Sequence, residues 1–480
     1  MKTLEPTVVW NHFYEITQIP RPSKKEDKVR AYLKDFGTKY NLLTKTDKAG
    51  NVLITKPATP GYENEKTIIL QAHMDMVCEK NNDVTHNFET DPIQVVIDGE
   101  WIKAKGTTLG ADNGIGMAMM LAVLSSDDIQ HPALECLFTT DEETGLTGAF
   151  ALDNNLLKGE VLINLDSEDD GEIFVGCAGG IDTTASFKYK TKETPHGYFA
   201  FSVTVTGLKG GHSGDDIDKR LGNANKMLNR ILWNIHREMD LRLVKIEGGN
   251  LRNAIPREAN AVACVPFKEK EKVRVIFNQV VAELEEENAA VETKMRVELH
   301  SEETPEKVMT KKSTSKLLNA IYACPHGIKK MSADMPGLVE TSTNLASVKM
   351  IDDKTVLITT SQRSSVESEK YDIAHQVESV LKLAGAEVTH GDGYPGWKPN
   401  LDSQILKVAE KSYKKLFDVE PKVKAIHAGL ECGLFLKKYP HLDMISIGPT
   451  MRGVHSPDER MEIATVGRVW SWLKGILQTK

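Results

Sequence analysis

Two adjacent glutamates, Glu142 and Glu143, follow an apolar run over 133–139 that has the character of a buried strand. In such a pair, one carboxylate can bind a metal ion while its neighbour moves a proton to or from water. A Glu-Glu pair by itself is more often a solvated charge cluster. The pair therefore indicates catalysis only if further metal-binding side chains accompany it.

Further metal-binding side chains occur at comparable points of the chain. They close an apolar run or lie in a loop, and they are His73, Asp112, Asp166 and His455. Open α/β sheets collect their ligands at the carboxyl ends of strands. Each residue also has an ordinary explanation, since Asp112 could cap the helix after it and Asp166 could belong to the acidic loop 166–170. Their joint occurrence in matching positions favours a shared metal site.

Two histidines and three carboxylates are enough for a hydrolase site with two zinc ions about 3.5–4 Å apart, provided that one carboxylate bridges the ions. Asp112 is the predicted bridge. The predicted ligands are His73, Asp112, Glu143, Asp166 and His455. The expected cofactor is two Zn²⁺ per chain, and Co²⁺ or Mn²⁺ suit the same donors.

The elements that must position these residues follow two patterns. From 67 to 176, strand-like apolar runs alternate with a helical pattern at 114–124, which predicts an α/β, mostly parallel sheet with helices on both faces. The same style returns over 400–480. From about 187 to 397, half-exposed alternating strands and long amphipathic helices predict an antiparallel sheet with helices on one face.

These patterns predict a catalytic domain formed by 1–186 and 398–480, with 187–397 inserted as an α+β lid domain. The lid is long enough for two tandem α+β units. A weak internal echo supports that possibility, because Asn253-Ala254-Ile255-Pro256 and Asn344-Leu345-Ala346-Ser347 each precede a strand-like run. Strand–strand–helix patterns also recur by chance, so a single unit remains the alternative.

Composition limits the function classes. A chain of 480 residues exceeds the roughly 250–300 that one core usually serves, and its net charge of −8 offers no basic surface for nucleic acid. No secretory signal and no run of about 18 apolar residues is visible, so no membrane partner is expected. Six cysteines without pairing motifs suit a reducing compartment. We expect a cytoplasmic protein, and the sequence leaves monomer and homodimer open.

The order of the motifs resembles the di-zinc aminoacylase and carboxypeptidase metallopeptidase family across nearly the whole chain. The segments that carry the resemblance are His73-Met74-Asp75-Met76-Val77, Gly110-Ala111-Asp112-Asn113-Gly114, Asp141-Glu142-Glu143-Thr144-Gly145, Asn164-Leu165-Asp166-Ser167-Glu168 and His455-Ser456-Pro457. The long insert, Gly429-Leu430-Glu431-Cys432-Gly433 and the ending Asp458-Glu459-Arg460 are most similar to the aminoacyl-histidine dipeptidases within that family.

The resemblance implies a role for each matching residue. It places His73 and Asp166 on one zinc ion, Glu143 and His455 on the other, and Asp112 on both. Asp75 would accept the second N–H of the His73 ring and fix its tautomer. Glu142 would take a proton from the attacking water and deliver it to the leaving amine.

The resemblance also assigns substrate contacts. His212, in a glycine-rich turn, resembles the lid histidine that reaches the scissile carbonyl oxygen, although a plain turn histidine is the alternative. Asn253 and Arg363 resemble lid residues that hold the substrate backbone, and the guanidinium suits a C-terminal carboxylate. Glu431 is a candidate for the free amine. Two such contacts at the two ends of the substrate would define a space one dipeptide long.

The predicted function is hydrolysis of unblocked dipeptides by metal-activated water, with carnosine-like Xaa-His dipeptides among the substrates. The Xaa-His preference comes from the resemblance alone. One alternative is an N-acyl amino acid deacylase that uses the same metals. The other is a non-catalytic scaffold on the same fold, which would require a broken site, and Glu142 with all five ligands present argues against it.

Overall fold

The computed structural model describes residues 3–479, and the chain divides into two compact units. The first unit contains residues 3–177, 397–425 and 430–479, and the second contains 178–396 and 426–429. The units divide at 177/178 and 396/397, whereas the sequence placed the boundaries at 186/187 and 397/398. The assignment of one part as catalytic domain and the other as lid remains a prediction.

The helices, in chain order, are α1 (Thr7–Thr17), α2 (Asp27–Lys39), α3 (Ala111–Ser125), α4 (Thr147–Ala151), α5 (Ala224–Glu238), α6 (Lys270–Asn288), α7 (Lys311–Ala323), α8 (Glu367–Leu383), α9 (Gln404–Phe417), α10 (Glu431–Lys438) and α11 (Ile463–Leu477). Among the helices that the structure describes, none combines the length and apolar character needed to span a membrane.

The strands are β1 (Leu43–Thr46), β2 (Val52–Lys56), β3 (Ile68–His73), β4 (Val95–Asp98), β5 (Trp101–Ala104), β6 (Leu134–Thr139), β7 (Val161–Asn164), β8 (Glu172–Cys177), β9 (Gly179–Lys188), β10 (Thr191–Glu193), β11 (Tyr198–Thr206), β12 (Gly211–His212), β13 (Arg242–Gly248), β14 (Ala254–Ile255), β15 (Ala259–Pro266), β16 (Arg296–Glu302), β17 (Lys307–Met309), β18 (Gly327–Met331), β19 (Val339–Asp352), β20 (Thr355–Ser364), β21 (Glu387–His390), β22 (Lys422–Ile426), β23 (Asp443–Ser446), β24 (Met451–Arg452) and β25 (Arg460–Glu462).

The first unit is built on an eight-stranded sheet with the order β1-β2-β6-β3-β7-β23-β8-β22. Its central strands β6, β3, β7 and β23 are parallel, and antiparallel pairs flank them. Every residue of β3 and β6 is buried, as is typical of parallel strands covered by helices on both faces. The predicted α/β fold with a mostly parallel sheet is confirmed.

The second unit is built on a nine-stranded antiparallel sheet with the order β16-β11-β15-β13-β19-β20-β9-β21, in which β18 also pairs with β19. Apolar residues of α5, α6, α7 and α8 share one core with the strands, including Leu228, Phe277, Leu317 and Val377. The α+β character of the insert is therefore confirmed. The two halves of the sheet meet where Gly248 of β13 pairs with Val348 of β19. A tandem duplication remains a hypothesis that this arrangement suits.

Candidate active site

The parallel strands of the first unit bring the predicted residues to one edge of the sheet. His73 is the last residue of β3 and pairs with Thr139, the last residue of β6, so the loop with Glu142 and Glu143 starts beside it. In the same way Gln71 of β3 pairs with Asn164, the last residue of β7, and Asp166 follows two residues later. The register of three strands thus places a histidine and three carboxylates together.

Asp112, in the first turn of α3, lies between the two histidines. Its Oδ1 is 2.9 Å from Nε2 of His73, and its Oδ2 is 3.1 Å from Nε2 of His455. One carboxylate therefore faces two imidazoles with its two different oxygens. This is the arrangement expected of a carboxylate that bridges two metal ions.

The remaining predicted ligands complete two overlapping groups. Asp166 Oδ1 lies 3.5 Å from His73 Nε2, and Glu143 Oε2 lies 3.0 Å from His455 Nε2. In each group the ligand atoms lie within 4.8 Å of one another, and the groups are His73 with Asp112 and Asp166, and Asp112 with Glu143 and His455. The structure therefore brings all five predicted ligands together.

The buried polar atoms of this cluster fit metal ions. Among the described residues, Glu143 Oε1, Asp166 Oδ1 and Glu431 Oε1 have no hydrogen-bond partner. A buried acceptor without a partner costs free energy, on the order of 1–3 kcal/mol and more for a charged group. Two imidazole nitrogens that point at carboxylate oxygens also require a proton or a cation between them. The nitrogen and oxygen donors are those that zinc-class ions prefer.

The electrostatics of the cluster agree with this fit. Burial, opposed by His73 and assisted by the surrounding carboxylates, raises the pKa of Glu142 well above its usual range. Burial, again opposed by His73, raises the pKa of Asp166 to about 6. Contact with Asp112 and a second carboxylate raises the pKa of His455 to about 11. Such an accumulation of acidic groups is neutralised most directly by divalent cations.

Asp75 connects His73 to the loop that carries Glu142 and Glu143. Its carboxylate accepts the Ser23 hydroxyl at 2.7 Å and the backbone N–H groups of Glu142 at 3.0 Å and Glu143 at 3.2 Å. Its Oδ1 lies 3.3 Å from Nδ1 of His73, an ion-pair distance. Burial opposes ionisation, but His73 and these donors lower the pKa of Asp75 to about 2. The predicted orienting role suits these contacts.

Two supporting residues were not found from the sequence. The Arg21 guanidinium, 1% exposed, donates to the carbonyl oxygens of Met74 at 3.0 Å, Asp75 at 2.5 Å and Gly110. The Glu459 carboxylate, 2% exposed, accepts the N–H groups at the start of α3, from Leu109 at 2.7 Å, Gly110 at 3.0 Å and Ala111 at 2.8 Å. The start of α3 has no side-chain cap hydrogen bond of its own, and the Glu459 carboxylate accepts from its N–H groups instead.

Glu431 is fully buried in the first unit, at the start of α10. Its Oε2 accepts from Gln71 Nε2 at 2.6 Å and from Thr139 Oγ1 at 2.8 Å, while Oε1 has no partner among the described residues. Gln71 in turn accepts from Asn164 at 2.6 Å, and Asn164 accepts from Ser446 at 2.5 Å. This chain of buried polar side chains crosses β6, β3, β7 and β23 just before the residues that form the cluster. The sequence did not predict it.

The predicted substrate-binding residues of the insert lie together in the second unit. His212 of β12 pairs with Ala254 of β14, and the Asn253 carbonyl oxygen accepts the Ser213 N–H at 2.8 Å. Arg363 is buried and donates from Nη2 to His212 Nε2 at 3.3 Å, and from Nη1 to the Tyr394 hydroxyl at 2.9 Å. Its Nε has no hydrogen-bond partner among the described residues.

Comparison with known proteins identifies the class. The model of peptidase family M20/M25/M40 matches residues 69–479, and the chain belongs to this family. It is 44% identical over 478 residues to the cytosol non-specific dipeptidase of Escherichia coli strain K12, a match that covers 100% of this chain and 98% of that protein.

Solved structures are also similar to this chain over nearly its full length. The crystal structure of aminoacylhistidine dipeptidase from Vibrio alginolyticus has a TM-score of 0.93 and 44% sequence identity, over 99% of this chain and 97% of that one. Aminopeptidase PepT from Bacillus cereus, with a TM-score of 0.57 and 16% identity over 99% and 98% of the two chains, shares the fold.

Proposed function

We propose that this protein is a metallo-dipeptidase. The observation that carries the proposal is the Asp112 carboxylate, whose two oxygens face His73 and His455 in a chain 44% identical over its full length to a dipeptidase. A protein that only binds peptides would not require this pair of overlapping ligand groups. The same observation argues against a non-catalytic scaffold.

The proposed cofactor is two zinc ions per chain, with His73 and Asp166 on one, Glu143 and His455 on the other, and Asp112 on both. Bound ions would supply Lewis-acid polarisation of the scissile carbonyl and would acidify a water molecule. Asp75 keeps the His73 ring oriented, because its own carboxylate is fixed by backbone N–H groups of the glutamate loop.

Glu142 is the proposed general base. Its carboxylate lies within 4.8 Å of the ligand atoms of His73 and Glu143, which is close enough to reach a water held among them. The five predicted ligands suffice for both metal-binding groups, so Glu142 would remain available to take a proton from such a water. The same carboxyl group would then deliver the proton to the leaving amine.

Substrate recognition is proposed to use opposite charges. The unpartnered Oε1 of Glu431 suits the free ammonium group of a dipeptide, and the buried Arg363 guanidinium suits the C-terminal carboxylate. His212 would donate to the carbonyl oxygen, and Asn253 would hold the substrate backbone.

The substrates are proposed to be unblocked dipeptides with a broad range of side chains, Xaa-His among them. One relative of 44% identity is called non-specific and the other is called an aminoacylhistidine dipeptidase, so a broad preference that includes histidine accommodates both names. The first of these names also supports a cytoplasmic location for the protein.

A hydrolysis panel tests the proposal. Zinc-loaded protein is assayed on unblocked dipeptides, the same dipeptides after N-acetylation, tripeptides and N-acetyl amino acids, with the metal content measured in each preparation. We expect cleavage of the unblocked dipeptides and loss of cleavage on acetylation. Preferential cleavage of N-acetyl amino acids would identify a deacylase instead, and no turnover by metal-loaded protein would support the scaffold.

A further inference from the structure

A second group of potential metal ligands lies in the second unit, outside the residues that the proposed reaction uses. It consists of His375 and Glu378 of α8 and His390, the last residue of β21, and its ligand atoms lie within 4.8 Å of one another. Residues three apart on a helix are neighbours on one face. A turn of three residues, 384–386, returns the chain from α8 to β21, so the His375 and His390 rings approach to 5.9 Å between centroids.

The tautomer of His390 is fixed by its neighbours. Thr360 donates its hydroxyl proton to the Thr183 carbonyl oxygen, so it must accept from Gln362, which donates from Nε2 at 2.7 Å. Gln362 Oε1 therefore accepts the Thr183 hydroxyl at 2.7 Å. With its only proton used, the Thr183 oxygen can only accept from Nδ1–H of His390, at 2.9 Å.

This assignment leaves Nε2 of His390 as the free position of the ring. It lies 3.1 Å from Oε2 of Glu378, with both side chains about three-quarters buried. In a neutral imidazole this nitrogen carries a lone pair that faces a carboxylate oxygen, which is repulsive. The contact becomes favourable only if a proton or a metal ion lies between the two atoms.

We propose that His375, Glu378 and His390 form a second, peripheral site for a divalent ion of the zinc class. Two imidazoles and one carboxylate are a known set of three protein ligands for zinc, with a fourth position left for water. Two nitrogen donors favour Zn²⁺, Ni²⁺ or Cu²⁺ over Mg²⁺ or Ca²⁺, which prefer oxygen. Thr183 acts as the outer partner that orients the ligand histidine, as such sites require.

One neighbouring charge opposes an ion here. Lys382 forms an ion pair with Oε1 of Glu378, but it uses the other carboxylate oxygen and its side chain is 58% exposed. An exposed ammonium group can move into water at little cost, because a surface ion pair contributes little to stability. Oε2 of Glu378, which faces His390, therefore stays available as a ligand.

The site would fasten α8 to β21, which is an edge strand of the nine-stranded sheet. An ion that binds only the folded protein stabilises it in proportion to the logarithm of its free concentration. The proposed consequence is a zinc-dependent gain in the stability of the protein that is independent of peptide hydrolysis.

Metal counting tests the site. Wild-type holoenzyme and a His375→Ala variant are dialysed against the same buffered zinc solution, and the metal content per chain is measured. His375 is exposed on the helix surface, so its replacement should leave the fold and dipeptide hydrolysis unchanged. We expect the variant to hold about one ion per chain fewer than the wild type. Equal metal content in the two proteins would overturn the proposal.

A matched control and a spectroscopic measurement sharpen this test. The exposed pair His300 and Glu298, 3.6 Å apart on β16, offers one histidine and one carboxylate, so His300→Ala should not change the metal count. One equivalent of Cu²⁺ per chain, added to enzyme that carries two zinc ions per chain, should give an electron paramagnetic resonance signal with imidazole nitrogen couplings in the wild type and in His300→Ala. Retention of that signal in His375→Ala would show that the copper binds elsewhere and would contradict the proposal.

Discussion

The candidate site residues of the two units form clusters of opposite charge. The first unit gathers carboxylates around two histidines, and several of their oxygens have no partner among the described residues. In the second unit, the buried Arg363 guanidinium lies against His212 and a tyrosine hydroxyl. The first arrangement attracts cations, whereas the second attracts anions. The proposed dipeptide substrate carries one charged group that suits each cluster, an ammonium group and a carboxylate.

This contrast predicts separable effects of substitution. Substitutions of the predicted ligands and of Glu142 in the first unit should alter metal content or the chemical step. Substitutions of His212 and Arg363 in the second unit should alter kcat or KM while the metals are retained. The peripheral His375, Glu378 and His390 group should affect neither catalysis nor substrate binding.

The largest effect is expected at the bridging carboxylate. Asp112→Ala should remove both ions and nearly all activity, because each of its oxygens faces a different histidine. His455→Ala should mainly empty one position. Metal analysis of the two purified variants, with circular dichroism to check folding, distinguishes them. Two ions retained in Asp112→Ala would show that it is not the bridge.

A smaller but still large effect is expected at Glu142. Glu142→Gln should keep the fold and both ions yet lower kcat by about 10²–10⁴-fold, because the amide cannot take the proton from water. Glu143→Gln is the matched control, since the neighbouring residue is a predicted ligand and should lose metal as well. Normal turnover in metal-loaded Glu142→Gln would assign the base elsewhere.

The residues proposed to perform the chemistry could be grouped from the sequence because of one local rule. Each predicted ligand at the sheet edge follows an apolar run, and parallel strands end at the same edge, so His73, Glu143 and Asp166 could be grouped without knowing the strand order. Parallel β3, β6 and β7 then bring them together. Asp112 and His455 were assigned to the same site from the order of the motifs. The periodicity of the strands alone would not have grouped them with the other residues.

The supporting residues could not be found in this way because their partners are distant in the chain. Glu459 accepts from backbone groups that lie 347–350 positions earlier, and Gln71 donates to a carboxylate 360 positions later. Because nearly every residue has a backbone N–H group, the sequence does not show which side chain accepts a hydrogen bond from a given one. The exact edge of the second unit also depends on distant partners, since β9 follows β8 after one residue yet pairs with β20 and β21 of the other sheet.

In the second unit, His212→Ala should lower kcat by about 10²–10³-fold with both metals retained, the usual effect of removing one donor to a developing oxyanion. His212→Gln, which keeps a donor, should recover part of the loss. Steady-state kinetics and metal analysis check both variants. A loss of metal in His212→Ala would instead identify a metal-binding role and would weaken the separation between the two units.

The smallest effect that still tests the contrast is expected at Arg363. Replacing it by alanine removes charged hydrogen bonds worth about 1.5–3 kcal/mol, so KM for dipeptides should rise at least about tenfold with little change in metal content. Arg363→Lys keeps the charge without the two parallel donors and should fall between alanine and the wild type. The decisive comparison uses dipeptides whose C-terminal carboxylate is amidated. The wild type should bind them poorly, and Arg363→Ala should discriminate much less between free and amidated substrates, because the group that recognises the carboxylate is gone. If the wild type cleaved amidated dipeptides and tripeptides as well as free dipeptides, Arg363 would not recognise the substrate's end, and a broader peptidase would replace the dipeptidase.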